Sequence, residues 1–295
     1  MWTHTVASIC VGVAICLAVV IFINRKSDVD YSGFYHMHCG TRNGRLIQKQ
    51  AIPKKIYRTW KTEQLPPIFQ TALDYTARHN PEYEQVLYTD TMARNFMRSF
   101  MGGIAKHAYD MLIPGAARAD LLRYCLMYEY GGIYLDGKSG AGPLRNLIRA
   151  DDRMLVSTWG TVQGRPEIAG FFKFGEFQQW WLACEPKHPF VKQLILSVVE
   201  GVEKRLSGHD LLKHSTLVFW YNIDVLQLTG PLKFSNEIIK YTSRNGSGIR
   251  MVCANGNDIM VYDVSGKHGM GVGYGNAGPM LKNPVYVWGN YVLGR

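Results

Sequence analysis

Several classes of function are excluded by what this 295-residue chain lacks. Its cysteines include no C-x-x-C pair: Cys10 and Cys16 sit in an apolar run, while Cys39, Cys125, Cys184 and Cys253 are scattered. That is neither a disulfide framework nor a zinc-ligand spacing, and it fits buried thiols in a reducing compartment. No fixed-period repeat or low-complexity tract is present, which sets aside solenoids and disordered chains. There is no P-loop, no H-E-x-x-H and no Ser-His-Asp order. Acid is missing between Arg42 and Lys61, where Arg45, Lys49, Lys54, Lys55 and Arg58 also fall, and the net charge is +10. Such a run suits anionic lipid, the phosphates of a nucleotide, or nucleic acid. Without zinc-finger spacing, an RNP-like aromatic motif or basic heptads, nucleic acid is the poorest fit.

Charge is also missing from Thr5 to Ile23, TVASICVGVAICLAVVIFI. As a helix this run is ~28 Å long, close to the hydrocarbon thickness of a bilayer. It lacks the basic start and small-x-small exit of a cleaved signal, so a single-pass anchor over residues 1–24 is expected. Arg25 and Lys26 follow, and the positive-inside bias places the remainder on the cytoplasmic side. Asn245-Gly246-Ser247 is a glycosylation sequon that would report the opposite, a Golgi- or ER-type lumenal side. A basic stem over 25–50 then leads to one large domain over 51–295.

With 47% hydrophobic and 19% charged residues the remainder forms a core. Ala51–Tyr57 reads as a first strand. Pro66-Pro67 opens a helix with Ile68, Leu73 and Ala77 inward, closed at Asn80-Pro81. Tyr83–Tyr88 reads as a strand and Thr91–Met101 as a helix stopped by Gly102-Gly103. Ala116–Tyr130 is a third helix ended by Gly131-Gly132, and a strand through Ile133 delivers Asp136. Met154–Trp159 reads as a strand. Phe177–Cys184, Pro189–Leu206, Ser215–Leu228 and Leu232–Tyr241 read as helices. Short strands are expected around Ile249–Cys253, Ile259–Tyr262 and Val285–Trp288. Alternating β and α units predict an α/β sandwich with a mainly parallel sheet, whose ligands bind beyond the carboxyl ends of the strands. Asp136 sits at such an end.

Asp120 and Arg123 lie three apart on one helix face. They read either as a surface ion pair or, because the helix is otherwise apolar and feeds the Asp136 strand, as part of the same site. An Arg fork among carboxylates suits a polyhydroxyl ligand beside a phosphate. Trp60 is either a core aromatic or a face for stacking a base. Thr229-Gly230-Pro231 is either a simple helix stop or a loop at the site.

RADLLRYCLMYEYGGIYLD, with IPKKIYRTW upstream, resembles the DXD-containing sugar-binding region of glycosyltransferase family 32. That family includes Och1-type α-mannosyltransferases and inositol-phosphoceramide mannosyltransferases, and it is distantly similar to the glucosylating domain of large clostridial toxins. The resemblance is good over Ile52–Leu147 and looser through ACEPKHPF (183–190) and LTGP (228–231). It implies a GT-A fold, nucleotide-sugar binding, and retaining transfer of a hexose, mannose favoured, to a glycan or lipid acceptor. It also implies that Asp120 and Arg123 bind the donor sugar, that Tyr134 lines the pocket and that Asp136 is the first acid of the motif. Ile52, Pro53 and Trp60 match the nucleotide-contacting first strand, and Thr229 and Gly230 match a donor-side or acceptor-side loop.

The departure is Lys138, which stands where the second acid would help hold Mn²⁺ or Mg²⁺ on the diphosphate. Three outcomes follow. Lys138 itself neutralises the leaving diphosphate; or Asp136 still holds a metal, helped by water and Ser139 or His268; or catalysis is lost. A sugar-nucleotide-binding protein without turnover, and a basic membrane-tethered scaffold, are the corresponding rivals.

Overall fold

The structure, a computed structural model, describes residues 50–158, 176–206, 223–245, 248–252 and 259–265. Strand β1 (Lys55–Trp60), helix α1 (Pro67–His79), β2 (Glu84–Thr89) and α2 (Asp90–Ser99) come first. Then follow α3 (Lys106–Met111), α4 (Gly115–Tyr130), β3 (Gly132–Leu135), β4 (Gly140–Ala141) and β5 (Met154–Val156). The last group is β6 (Trp181–Cys184), α5 (Pro189–Leu206), α6 (Ile223–Leu228), α7 (Pro231–Asn245), β7 (Ile249–Met251) and β8 (Met260–Val261). Among these residues no helix is long and apolar enough to cross a membrane. The expected anchor at 5–23, the stem to residue 49, His268 and the expected strand at 285–288 lie outside them.

The main sheet has the order β2-β1-β3-β6-β5-β7. Pairings β1–β2, β1–β3 and β5–β7 are parallel, while β6 runs against both β3 and β5. Every strand but β6 therefore points the same way, and the sheet is mainly parallel with one reversal. A separate pair, β4–β8, is antiparallel.

The two faces of the sheet separate by alternation. Tyr57, Tyr134, Met154, Val156, Leu182 and Cys184 enter one core beneath α4 and α5. Ile56, Ile133, Leu135, Leu155, Trp181 and Ala183 enter a second core with Ile52, Leu147 and Met260. Strands buried on both faces read as continuous apolar runs, which is why β6 was mistaken for a helix over Phe177–Cys184. The structure corrects that expectation: Trp181 packs on one face, Leu182 on the other, and the Trp181 indole donates to Ser157 Oγ at 3.0 Å.

Two other boundaries move. The first strand begins at Lys55 rather than Ala51, because Pro53 has no N–H for a ladder and its carbonyl accepts from Lys55 N in a tight turn. Helix α1 turns Phe69, Ala72 and Thr76 inward instead of Ile68, Leu73 and Ala77. Thr76 is buried because its hydroxyl has partners there: it accepts from the Arg58 guanidinium at 3.0 Å and from Ala141 N at 3.2 Å.

Helix α4 is apolar on almost every side and lies buried against the sheet. It must reverse into β3 within two residues. Gly131 (φ 62°) and Gly132 (φ 94°) make that turn, and a Cβ would meet Pro186 N at 2.5 Å on the first and Lys55 O at 2.6 Å on the second. Gly131→Ala and Gly132→Ala are each expected to destabilise the protein by about 2 kcal/mol or more. Gly115→Ala, where nothing lies within 4 Å, is the neutral control; urea midpoints of the three variants check this.

Candidate functional site

A cleft of about 640 Å³ opens beyond the carboxyl ends of β1 and β3, walled by the first turns of α4. Asp136 enters it directly from β3, and its N–H donates to Trp180 O at 2.8 Å. From α4, Arg123 reaches the same place. Its Nη2 lies 3.1 Å from Asp120 Oδ1 and 3.0 Å from Asp136 Oδ1, and its Nη1 donates to Gln179 O at 2.7 Å. The guanidinium sits 4.6 Å from the Tyr134 ring centre, and the Tyr134 hydroxyl meets Thr59 Oγ1 at 3.1 Å. Asp120 also accepts from Thr229 Oγ1 at 3.0 Å. The Thr229 carbonyl in turn accepts from Tyr124 OH and Gln179 Nε2.

The sequence thus pointed to residues that do meet: Asp120, Arg123, Tyr134, Asp136 and Thr229. The Asp136 side chain is 34% exposed and faces the cleft, whereas that of Asp120 is 10% exposed and lies behind Arg123. Trp60 lines the cleft, its ring edge-on to Phe69 at 5.5 Å. Ile52 is fully buried in the second core, away from the cleft lining, and Gly230 is packed against Leu226. His188 is buried, and burial brings its imidazole down to about 4, as a structural histidine.

Three contributors were not among the expected site residues. Arg58, buried in β1, donates to Asp136 O at 2.8 Å, to Ser139 O at 2.6 Å and to Gly137 O at 3.5 Å, bracing the loop from beneath. Its signals were its place in the basic run and in the IPKKIYRTW stretch. Gln179 joins the Arg123 and Thr229 networks from the stretch expected to be helical. Asp263 faces Lys138, with Oδ2 3.6 Å from Nζ, and Lys138 also sits 4.3 Å from the Tyr262 ring centre.

The charges set one another. Burial lifts the Asp120 carboxyl from its ordinary 3.8 to about 6, Arg123 opposing that rise and Asp136 adding to it. For Arg123, burial works to lower the guanidinium, but Asp136 and Asp120 outweigh it and hold the group above its usual range. Burial lowers Arg58 to about 10, which leaves it charged at neutral pH.

As a divalent-cation site the donor set does not fit on its own. Among the described residues no three His, Cys, Asp or Glu side chains converge on one point. Asp136 already faces a guanidinium, and an ammonium follows two residues on. The hydroxyl of Ser139, expected as a helper, is fully buried and donates to Tyr262 O at 2.8 Å. His268 lies outside the described residues.

Because Asp120 is raised when folded, its contribution is most favourable when protonated. Below about pH 4 both folded and unfolded chains hold that proton; as pH rises towards 6 the unfolded chain releases it first. Stability relative to Asp120→Asn should therefore fall by roughly 2–3 kcal/mol between pH 4 and 7, read from denaturant unfolding at the two pH values.

Comparison with known proteins agrees with this geometry. Residues 66–151 match the family described as glycosyltransferase sugar-binding region containing DXD motif. Inositol phosphoceramide mannosyltransferase 3 of Schizosaccharomyces pombe is 36% identical over 118 residues, 40% of this chain and 32% of the relative. Inositol phosphoceramide mannosyltransferase 2 of the same yeast is 37% identical over 191 residues, 64% of this chain and 47% of the relative. Against the first of the curated relatives, the chain spans about a third to somewhat over half of their length. Among solved structures, the PaToxG glycosyltransferase aligns at a TM-score of 0.45 and 17% identity, over 65% of this chain and 70% of that one. The residues matched by the DXD-containing sugar-binding region of glycosyltransferases include Asp120, Arg123 and Asp136.

Proposed function

We propose that this chain transfers a hexose, mannose by preference, from a nucleotide sugar to a glycan or lipid acceptor with retention of configuration. The observation that carries the reading is the Arg123 guanidinium, backed by the buried Asp120, meeting Asp136 in the cleft at the carboxyl edge of the sheet. A sugar's hydroxyls take hydrogen bonds from a fixed cation and give them to carboxylates, so Arg123 and Asp136 supply both halves while Asp120 holds Arg123 from behind. Trp60, on the same cleft wall, offers an aromatic face for the base. In the transfer, the C1–O bond to the diphosphate breaks with its electron pair leaving on the phosphate. The acceptor hydroxyl oxygen bonds to C1, and its proton passes to the departing diphosphate. Preorganised cations are what such a leaving group needs. Mannose is preferred because the relatives above are mannosyltransferases by name. The apolar run at 5–23 would hold the domain at a membrane.

A second reading, a sugar-nucleotide-binding protein without turnover, is favoured by Lys138 at the position of the motif's second acid. A thermal-shift panel of GDP- and UDP-hexoses, followed by release of nucleoside diphosphate, separates the two. Stabilisation with turnover supports transfer; stabilisation without turnover supports the second reading; no stabilisation by any sugar nucleotide rejects both. Arg123→Lys, which keeps the charge but loses the fork, should lower kcat/KM about a hundredfold or more.

The side of the membrane is tested at Asn245, the last residue of α7. The charge distribution predicts that Asn245 carries no glycan when the full chain is expressed in a eukaryotic cell. A mass shift removed by an endoglycosidase and abolished by Asn245→Gln would place the domain in the lumen.

A further inference from the structure

The cleft is built for an anion. Lys61, Arg118, Arg123 and Lys138 line it against Asp90 and Asp136. Of these cations Arg123 is already committed to two carboxylates, and Lys138 follows Asp136 by two residues on the same cleft-lining loop.

Lys138 is held unusually firmly for a loop lysine. Its carbonyl accepts from Val264 N at 3.1 Å, and Ser139 Oγ donates to Tyr262 O at 2.8 Å. Directly after it, Gly140 and Ala141 pair with Val261 and Met260. Its ammonium lies over the Tyr262 ring and 3.6 Å from Asp263 Oδ2. Asp263 cannot serve as the missing second acid: Oδ1 accepts from Ser265 N at 2.9 Å and Ser265 Oγ at 2.6 Å, and Oδ2 faces the ammonium. Its side chain is 4% exposed, against 33% for Lys138. An ammonium has three donors, and a carboxylate at 3.6 Å with one ring face leaves donor capacity towards the cleft.

We infer that Lys138, positioned by Asp263 and Tyr262, is a resident cation that binds the diphosphate of the donor in place of a divalent metal ion. The inference rests on the proposed reading of the cleft as a nucleotide-sugar site. Asp263 acts as a positioning residue: its buried charge fixes where the ammonium stands, while the segment 259–265 ties that charge to the loop after β3.

The test is calorimetric binding of GDP, UDP and the corresponding nucleosides to the full chain, in EDTA and in Mn²⁺. The expected result is diphosphate binding of equal strength in both buffers. Lys138→Ala should then weaken diphosphate binding about ten- to a hundredfold, as loss of a charged contact does, and leave nucleoside binding unchanged. Lys138→Arg should retain most of it. Asp263→Asn should weaken diphosphate but not nucleoside binding by a smaller factor, which a loss of general packing would not do. Lys138→Asp should bind diphosphate only with Mn²⁺.

Because Lys138→Ala strands a buried carboxylate, the double variant Lys138→Met/Asp263→Asn removes both charges together and must show the same selective loss. Wild-type binding that requires Mn²⁺ would overturn the inference and leave the proposed function standing. Metal-free binding that the Lys138 variants do not alter would overturn it as well. Binding of neither diphosphate in either buffer would instead reject the reading of the cleft on which it rests.

Discussion

A guanidinium taken out of water is tolerable only where carboxylates replace the lost hydration, and Arg123 is held under that constraint. It is 7% exposed midway along a largely buried helix, and two acids from different elements converge on one of its nitrogens. Each partner alone is a poor solution. Asp120 is itself buried, and that burial lifts its carboxyl to about 6. Asp136 is one-third exposed and comes from the loop after β3. The ion pair therefore ties the register of α4 to the end of β3, and the cleft exists only when both are in place. Thr229 and Gln179 complete the arrangement from two more segments.

The sheet is arranged around the same demand. A purely parallel sheet would have no strand returning next to β3. The reversed β6 brings residues 178–180 alongside the carboxyl end of β3, where Trp180 O receives Asp136 N and Gln179 O receives Arg123. Arg58 serves the loop from the other side, its Nη1 facing the carbonyls of Asp136, Gly137 and Ser139. Gly137 is small for a related reason: a Cβ there would lie 2.5 Å from the Phe69 ring. The Asp-Gly-Lys turn is thus fixed both by its own bond, from Ser139 N to Asp136 O at 2.9 Å, and by what surrounds it.

What was legible in the sequence follows the range over which each signal acts. Asp120 and Arg123 share a helix face by spacing alone, and Gly131-Gly132 followed by an apolar run places Asp136 at a strand end. Those are local patterns, and the structure brings these side chains together. The β6 error arose because a strand buried on both faces has no alternation in polarity; Leu182 and Trp181 are equally apolar though they face opposite cores. The inward face of α1 was misread for the opposite reason. Thr76 looks like a solvent residue until the partner for its hydroxyl, Arg58, is known from another element. Hydrophobic pattern cannot report a buried polar contact made across the fold.

The same limit applies with most force to Lys138. As a string of letters it is a lost carboxylate, and the natural reading is a damaged motif. In the fold it is half of a charge pair whose other half lies 125 positions further along the sequence, and neither residue makes sense by itself. Without Lys138, the buried Asp263 would lose the ammonium that faces its Oδ2; without Asp263, Lys138 would lose the charge that orients it. Together they hold a cation on the loop that carries Asp136 into the cleft. An ion captured from solution must bring its own coordination shell and find enough ligands, whereas a tethered ammonium needs only a counter-charge to orient it. Replacing an acid by a base at this position therefore changes how positive charge is delivered to the cleft, and the cleft remains cationic with or without an ion from solution.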